Sequence, residues 1–249
     1  MSHKHEINTK YNFFLNDLLD IKKIFLSSNN TIHKARNELK IVELDSIKCV
    51  IKSFKIPHII NRFAYTFLRD GKAKKSYHNA SRLIKLGVST PEPIGIIEFF
   101  NYGLLSNSYF ISSYEPYDFT IREVFHHKVD NHKEILKQFA KFTYEIHKKG
   151  VWHVDYSLGN ILITKMDNIY KFSLVDINRM EFKSIEGYEG LKNLNKFWAK
   201  DKNDLILLAK EYAIAANLNE DKAIEIALNE AKILEIKVNF KRKIKGKQS

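Results

Sequence analysis

Residues 153–160, with the sequence HVDYSLGN, place an acid, Asp155, five positions before an amide, Asn160. A second acid, Asp176, lies further along the chain in the segment LVDIN, residues 174–178. His, Asp and Asn are common in loops, so the first string alone does not decide a fold. The two acids and the amide together are much harder to reach by chance, and they decide how the rest of the chain is interpreted.

Two short apolar runs separate the motif from the second acid. Residues 161–163 (ILI) follow the motif directly and predict a strand, and residues 170–175 predict a partner strand. Between them, residues 165–168 (KMDN) are typical of a hairpin turn. The motif would then lie on a loop before the first strand, and Asp176 would lie at the end of the second.

This arrangement fits the chemistry of phosphoryl transfer. Such a reaction needs one carboxylate to position and deprotonate the acceptor hydroxyl, and an amide with a second carboxylate to hold the magnesium ions at the nucleotide phosphates. The spacing predicts that Asp155 is the catalytic base and that Asn160 and Asp176 are the magnesium ligands.

Length and composition are those of one folded catalytic unit. The chain has 249 residues, enough for one or two sizeable cores, and it shows no low-complexity tract or repeat. Its single cysteine, Cys49, excludes a disulfide framework and favours a reducing cytoplasm. The N-terminal sequence lacks an apolar signal core and no stretch is long enough to span a bilayer, so we expect a soluble or peripheral protein.

The formal net charge is +12, and the basic residues are unevenly distributed. They are concentrated between Lys52 and Lys85 and again in the tail from Lys237 to Ser249. Such patches attract polyanions, and a phosphorylated glycolipid, an anionic membrane and a nucleic acid all qualify. A Lys-rich, Gly-poor composition is also typical of genomic base bias, which would give the charge no function.

The sequence of the N-terminal half predicts a small β-rich lobe. Strand-like runs over residues 29–44, joined by a turn at 34–37, are followed by a strand at 47–54. A helix is predicted over 76–86, ended by Gly87. Two further strands, at 94–99 and 109–113, bring the total predicted to five.

The second half has helical character. Asn131 and Glu134 form a capping-box pattern before apolar residues at helical spacing, and Gly150 supplies the stop. Two more helices are predicted over residues 201–216 and 220–234. We therefore predict an α+β, bilobal, protein-kinase-like fold, with a leader and β-rich nucleotide-binding lobe over residues 1–113 and a helical catalytic lobe with a basic tail over residues 114–249.

Lys52 is the expected nucleotide lysine. It projects from the predicted strand VIKSF, the third of the small lobe, where an ammonium can pair with the α and β phosphates. With 41 basic residues in the chain, the identity of one lysine carries little weight. The evidence for this role of Lys52 is its position in the predicted strand order.

Three segments resemble the lipopolysaccharide core kinase family, which includes Kdo kinases and heptose kinases. They are residues 50–95, from VIKSF to TPEPIG, residues 150–163, GVWHVDYSLGNILI, and residues 172–180, FSLVDINRM. The likeness covers roughly residues 34–213. The TPEPIG segment and the Asn178–Arg179 pair are more specific than the kinase loop itself.

The resemblance implies ATP- and Mg²⁺-dependent phosphorylation of a sugar hydroxyl, on Kdo or heptose, in the inner core of lipopolysaccharide. It implies a cytoplasmic protein, peripheral at the inner face of the cytoplasmic membrane. The partners would be a lipid-linked core sugar and an anionic membrane surface, with nucleic acid not expected. By this resemblance Asp155 is the base, Asn160 and Asp176 are magnesium ligands, and Lys52 is the phosphate lysine. The backbone near Ser113 and Glu115 would hold the adenine. Arg36, on the turn that stands in place of a Gly-rich loop, is a further expected phosphate contact.

The chain departs from the general kinase pattern at three places. No glycine precedes Gly71, so a Gly-rich loop is absent and the turn around Arg36 takes its place. His78 stands where the partner glutamate of the lysine is expected, so another acid orients Lys52, the ion pair is dispensable, or the enzyme is weakened. Ser157 stands where protein kinases commonly keep a lysine, which favours a non-protein acceptor.

A second function class stays open at this point. A RIO-like protein kinase, or a kinase-like nucleotide-binding scaffold, would also carry this loop, and only His78 favours the scaffold.

Residues 59–68 (IINRFAYTFL) would either pack on the small lobe or lie on a membrane as an amphipathic anchor.

We expect the remaining candidate residues to have structural roles. The ten histidines show no zinc spacing, and we expect His3 and His5 in a disordered N-terminus. His153 would hold the catalytic loop by hydrogen bonding, and Trp152 and Trp198 would pack in the core.

Overall fold

The computed structural model describes residues 2–34, 37–54, 70–197 and 201–246, and the chain forms two compact units. The first unit comprises Met1–Pro116 together with the short segment Asp176–Arg179. The second comprises Tyr117–Val175 and Met180–Ser249. The predicted segment 59–68 and Trp198 lie outside the described residues.

An antiparallel sheet forms the first unit, with six strands among the residues described. Its strand order is β1-β5-β6-β4-β3-β2. The strands are β1 (Ser2–Ile7), β2 (Thr31–Lys34), β3 (Asn37–Leu44), β4 (Ile47–Phe54), β5 (Pro93–Asn101) and β6 (Leu104–Ser113).

Because the N-terminal residues form strand β1, two predictions are wrong: that the lobe has five strands, and that His3 and His5 lie in a disordered N-terminus. Residues from Ser2 to Ile7 pair with β5, with Ser2 opposite Phe100 and Ile7 opposite Gly95. Most side chains of β1 are exposed, so the strand is held by backbone pairing to a sheet edge. A polar edge strand has no apolar alternation, and apolar alternation is the pattern that predicts a strand.

Short helices cover this sheet. A 3₁₀ helix (Thr9–Phe14), α1 (Leu15–Leu19) and α2 (Ile21–Ser27) bury Phe14, Leu18 and Phe25 against the sheet residues Cys49 and Ile111. Burial, with a smaller contribution from Asp17, raises the pKa of the Cys49 thiol to about 12. Cys49 is therefore a small core residue, as expected.

Helix α3 (Lys72–Lys85) is the predicted helix of this unit, begun four residues earlier than expected. It ends as predicted at Gly87, which has φ +65°. The N–H of Gly87 donates to the Ile84 carbonyl and that of Val88 to the Leu83 carbonyl, both at 2.9 Å. Glycine adopts this left-handed conformation without a Cβ clash, which is why it ends the helix.

The second unit is mainly helical. Its helices are α4 (Ile121–Phe125), α5 (His132–Lys148), a 3₁₀ helix (Gly187–Lys196), α6 (Lys202–Ala216) and α7 (Glu220–Gly246). Its strands are β7 (Phe119–Thr120), β8 (Val151–His153), β9 (Ile161–Met166), β10 (Ile169–Leu174) and β11 (Met180–Phe182), arranged in the orders β10-β9-β7 and β11-β8.

The predicted hairpin and the predicted helices of this unit are confirmed. Met166 pairs with Ile169 across the turn, and Asp167 at its tip has φ +55°. Helix α6 follows Asp201, whose side chain accepts from the N–H of Asn203 at 2.8 Å. Helix α7 extends beyond the predicted residue 234, to Gly246.

The predicted capping box at Asn131 and Glu134 is wrong. Asn131 has φ +58°, and its side chain makes no capping hydrogen bond to α5. A capping side chain reaches the helix N–H groups from an extended backbone, and the left-handed backbone of Asn131 turns it away. The capping box of this unit forms at α4, where Thr120 and Glu123 bond reciprocally.

Aromatic rings fill the core of the second unit. The ring of Phe139 lies 5.4 Å from those of Phe172 and Phe197, and 5.8 Å from that of Tyr156. Trp152 packs on the His147 ring at 5.6 Å, which agrees with its predicted packing role. Within the described residues, no helix is both long enough and apolar enough to cross a membrane.

His147 is a buried polar residue of this core. Its Nε2 lies 3.1 Å from Asn193 Oδ1 and its Nδ1 lies 3.0 Å from the Tyr212 hydroxyl. Because Asn193 Oδ1 can only accept, Nε2 carries the proton and Nδ1 accepts from Tyr212. Burial disfavours the imidazolium and lowers the pKa of His147 from 6.5 to about 4.

We expect His147 to make folding sensitive to acid. The unfolded chain protonates this residue near pH 6.5 and the native state only near pH 4, so its contribution is complete above pH 6.5 and is lost as the pH falls toward 4. The shift corresponds to about 3 kcal/mol. Urea unfolding between pH 7 and pH 4 should show a flatter pH dependence for His147→Gln than for the wild type.

The exposed histidine His5 provides the control, and His5→Gln should keep the wild-type pH dependence. A His147→Gln protein that loses stability with acid as steeply as the wild type would contradict the assignment.

Candidate active site

Lys52 lies at the centre of the first unit's sheet. It is on β4, opposite Leu39 on one side and Phe110 on the other. Its side chain is only 11% exposed, and its ammonium forms an ion pair with Asp176 Oδ1. Two residues that the sequence assigned to one reaction, 124 positions apart, are therefore in direct contact.

The segment that carries Asp176 is fixed to the first unit by side-chain amides. Asn178 Nδ2 donates to Asp176 Oδ1 at 2.7 Å, and Asn79 Nδ2 on α3 donates to the Ile177 carbonyl at 2.7 Å. Asp176 itself has φ +55°, a backbone conformation that is uncommon outside glycine. The surrounding contacts hold its carboxylate at the Lys52 ammonium.

The acid that pairs with Lys52 is therefore Asp176, and His78 has another role. His78 Nε2 lies 3.1 Å from Glu6 Oε2, and half of its side chain is exposed. Of the three possibilities left by the sequence, this ion pair agrees with the first, in which an acid other than a residue at position 78 orients Lys52. Glu6 lies on β1, which the sequence did not predict, so this partner of His78 was missed as well.

The predicted adenine-binding residues lie at the end of β6. The Ser113 N–H donates to the Glu92 carbonyl at 2.9 Å, and the Ser113 hydroxyl accepts from the Glu92 N–H at 3.0 Å. The next N–H, of Tyr114, donates to the Lys48 carbonyl at 2.8 Å. Glu115 follows as a half-buried residue. Arg36, the predicted phosphate contact of the preceding turn, lies outside the described residues.

In the second unit, Asp155 and Asn160 lie on one loop between β8 and β9, as predicted. Asn160 Nδ2 donates to the Asp155 carbonyl at 2.9 Å, so the amide closes the loop on itself. The Val175 N–H donates to the Asn160 carbonyl at 3.0 Å, and Asp176 is the residue after Val175. With its nitrogen used as a donor, Asn160 presents Oδ1 as its acceptor.

Lys196 is a site residue that the sequence analysis missed. Its ammonium lies 3.2 Å from Asp155 Oδ1 and 2.5 Å from the Val154 carbonyl. The residue lies at the end of the second 3₁₀ helix, far from the loop in sequence. In a chain with 41 lysines and arginines, no local signal distinguishes it.

His153 positions the loop through both ring nitrogens. The Asp155 N–H donates to Nδ1 at 3.1 Å, so Nε2 carries the proton and donates to the Val175 carbonyl at 3.0 Å. The ring is completely buried. This confirms the predicted role of His153 as a hydrogen-bonding residue of the loop.

A chain of buried hydrogen bonds extends from this loop into the helices. Asn193 Nδ2 donates to the His153 carbonyl at 3.1 Å, while its Oδ1 accepts from His147. His147 in turn accepts from Tyr212 on α6. The position of the loop thus depends on residues of α5, α6 and the 3₁₀ helix between them.

Tyr156, next to Asp155, anchors the loop from its other side. Its hydroxyl lies 2.9 Å from Thr143 Oγ1, which donates its own proton to the Phe139 carbonyl at 2.8 Å. The Tyr156 hydroxyl is therefore the donor, and burial raises its pKa. One residue of the loop is fixed in the aromatic core while its neighbour, Asp155, remains accessible to solvent.

The donor atoms of the predicted metal ligands suit magnesium. Asp176 offers a carboxylate and Asn160 an amide oxygen, and Mg²⁺ prefers such hard oxygen ligands. The chemistry of the residues present therefore fits the ion that the sequence predicts.

Comparison with solved structures identifies the fold. The chain is similar to WaaP in complex with acyl carrier protein, with a TM-score of 0.63 and 13% identity, over 95% of this chain and 98% of that chain. It is also similar to the bifunctional kinase-methyltransferase WbdD, with a TM-score of 0.47 and 14% identity, over 79% of this chain and 43% of that chain.

The near full-length match to WaaP confirms the predicted α+β fold, with a β-rich N-terminal part and a helical C-terminal part. No protein-family model matches this chain. No curated protein sequence matches it either.

Gly190 offers a direct test of the buried chain that supports the loop. A Cβ at this position would lie 1.9 Å from the Tyr212 hydroxyl oxygen and 2.7 Å from His147 Nδ1. We expect Gly190→Ala to displace both partners and to cost about 3 kcal/mol in the free energy of unfolding, as overpacking of a rigid core does. Urea denaturation measures this cost.

Lys192→Ala is the matched control, because Lys192 is an exposed residue of the same 3₁₀ helix. It should leave the free energy of unfolding within about 0.5 kcal/mol of the wild type. Equal stabilities for the two variants would show that the contacts around Gly190 do not support the structure.

Proposed function

We propose that this protein is an ATP- and Mg²⁺-dependent kinase that phosphorylates a sugar hydroxyl, of Kdo or heptose, in the inner core of lipopolysaccharide. The observation that carries the proposal is the ion pair between Lys52 and Asp176. A kinase requires a strand lysine for the nucleotide phosphates and an aspartate for the metal. The fold brings these two residues together although the chain separates them widely.

Asp155 is the proposed catalytic base. Lys196 contacts Oδ1 of its carboxylate, which fixes the orientation of the group. We assign the second oxygen, Oδ2, to the acceptor hydroxyl, whose proton it would take as the hydroxyl oxygen attacks the γ-phosphorus of ATP and ADP leaves. Tyr156 and His153 support this function indirectly, because they hold the backbone on both sides of Asp155.

Asn160 and Asp176 are the proposed ligands of Mg²⁺. The nucleotide phosphates carry negative charge, which Mg²⁺ held by these two residues would neutralise. Asp176 is held in place by Asn178 as well as by Lys52, so its carboxylate is oriented before any ligand arrives. Lys52 would bind the nucleotide phosphates with an ammonium that is already mostly removed from water.

A sugar acceptor is supported by the resemblance of residues 50–95, 150–163 and 172–180 to lipopolysaccharide core kinases, and by the fold match to WaaP. Ser157 at a position where protein kinases commonly keep a lysine points the same way. The scaffold alternative depended on His78, which stands where an acid was expected. The ion pair of Lys52 with Asp176 supports the kinase over this alternative, because Lys52 has an acidic partner without that residue.

The decisive variant for this proposal is Asp155→Asn. Purified protein with Mg²⁺ and γ-labelled ATP should label lipopolysaccharide in a complete cell-envelope fraction, and the variant should lower the initial rate by roughly 10²- to 10⁴-fold, the usual contribution of a general base. Separation of lipid from protein before counting identifies the acceptor.

Asp167→Asn is the matched control, because Asp167 is an exposed acid at the β9–β10 turn and Asn tolerates its left-handed backbone. It should retain full activity. Label in protein instead of lipid would support the RIO-like alternative. Label in neither fraction would support a nucleotide-binding scaffold.

Helix α7 carries features suited to an anionic membrane surface. Ile233, Ile236 and Phe240 recur at helical spacing and are 45%, 59% and 64% exposed. Lys232 and Lys237 are exposed beside them. An apolar stripe with flanking lysines is typical of helices that lie on anionic bilayers. We propose that α7 contacts the inner face of the cytoplasmic membrane, where a lipid-linked acceptor would be presented.

Vesicle co-sedimentation tests this contact. We expect binding to vesicles that contain anionic lipid and much weaker binding to neutral ones, with a substantial loss for the double variant Ile236→Glu, Phe240→Glu. Ile169→Glu, at another exposed apolar residue, is the control and should bind like the wild type. Equal binding by all three proteins would refute a role for α7.

A further inference from the structure

Two histidines and an aspartate converge in the second unit, apart from the residues assigned to phosphoryl transfer. His127, His132 and Asp204 each offer a ligand atom, and these atoms all lie within 4.8 Å of one another. His127 Nε2 lies 2.6 Å from Asp204 Oδ2, and His132 Nε2 lies 3.9 Å from Asp204 Oδ1. Each imidazole thus faces a different oxygen of the same carboxylate.

The carboxylate of the cluster is buried and the two imidazoles are partly exposed, which suits a set of metal ligands. The Asp204 side chain is only 3% exposed, whereas those of His127 and His132 are 41% and 27% exposed. A buried carboxylate needs a compensating charge or hydrogen bonds. The distance from Oδ1 to His132 is too long for a hydrogen bond, so the His127 contact is the one direct hydrogen bond within this cluster.

His127 is held in position by the end of α4. The His127 N–H donates to the Val124 carbonyl at 3.0 Å and the Lys128 N–H donates to the Glu123 carbonyl at 2.9 Å, which closes the helix. His127 has φ +53°, in the left-handed conformation typical of this type of helix end. The residue is usually glycine there, and a histidine in its place puts an imidazole at the helix terminus.

His132 and Asp204 lie in the first turns of two other helices. His132 begins α5, directly after Asn131, and Asp204 follows the N-cap of α6. The two imidazole rings stack with their centroids 4.3 Å apart and an interplanar angle of 29°, so both present Nε2 toward the same carboxylate. Three helix termini therefore supply one cluster.

We infer that His127, His132 and Asp204 form a binding site for a divalent transition-metal ion of the zinc class. Two imidazoles with one carboxylate suit zinc better than magnesium, which prefers oxygen ligands. Ligand atoms around one zinc ion lie roughly 3 to 4 Å apart, given metal–ligand distances of about 2 Å. The three ligand atoms lie within 4.8 Å of one another, and both imidazoles are partly exposed, so small rotations of the rings would bring the atoms into that range.

The site would connect the end of α4 with the starts of α5 and α6. Because α5 and α6 carry His147 and Tyr212, a bound ion would stabilise the helices that support the catalytic loop. Water or another ligand would complete the coordination. The site is distinct from the Mg²⁺ site proposed at Asn160 and Asp176, and it does not depend on the proposed kinase activity.

Calorimetric titration of the full-length protein with Zn²⁺ tests the inference. We expect one ion per chain with a dissociation constant in the micromolar range or lower, and affinity at least about tenfold weaker in His127→Gln and in His132→Gln, since each removes one of three ligands. Both residues are partly exposed, so these variants should fold even where Asp204→Asn does not. Zn²⁺ should raise Tm for the wild type and not for either variant.

Two controls separate this site from other histidines. His126→Gln alters the neighbour of His127 and should bind like the wild type. The double variant His3→Gln, His5→Gln removes a pair of rings 5.7 Å apart on β1 and should also keep the high-affinity ion. Absence of stoichiometric binding, or binding that survives in both His127→Gln and His132→Gln, would overturn the inference.

Discussion

The buried ring of His153 is the constraint on which the position of the loop from Asp155 to Asn160 depends. Its Nδ1 accepts from the N–H of Asp155, and its Nε2 donates to the carbonyl of Val175. One ring thus sets the backbone of the proposed base and the end of the strand that leads to Asp176. A buried neutral imidazole can do this because its two nitrogens have opposite hydrogen-bonding roles. The His147–Asn193 pair holds the carbonyl of the same residue.

The short segment Asp176–Arg179 belongs to the first unit and is held by that unit's own residues. Lys52, Asn79 and Asn178 fix the segment by an ion pair and two amide hydrogen bonds. Asp176 adopts a left-handed backbone conformation there. Residues other than glycine rarely adopt this conformation, and when they do, surrounding contacts must hold it, often at a functional site. The segment thus presents an oriented carboxylate to a nearly buried lysine, the pair on which the proposed nucleotide and metal site is built.

Candidate residues that form a local sequence pattern could be named from the sequence, and residues brought in by tertiary contacts could not. Asp155, Asn160 and Asp176 form a spaced pattern, and the β9–β10 hairpin and α6 follow from turn and capping residues. Strand β1 is polar and held by backbone pairing, so it lacks the periodic signal of a strand. Lys196 and the His127–His132–Asp204 cluster depend on contacts between residues far apart in the chain, and the contact of Lys52 with Asp176 required the fold as well.

The central claim is that these residues transfer a phosphoryl group to a sugar hydroxyl. Phosphorus NMR of purified lipid-linked inner-core oligosaccharide, recorded before and after incubation with the protein, Mg²⁺ and ATP, measures this directly. We predict a new phosphomonoester resonance coupled to a proton of a Kdo or heptose residue, with ADP released in equal amount. An unchanged oligosaccharide spectrum alongside ATP that is bound but not consumed would contradict the account.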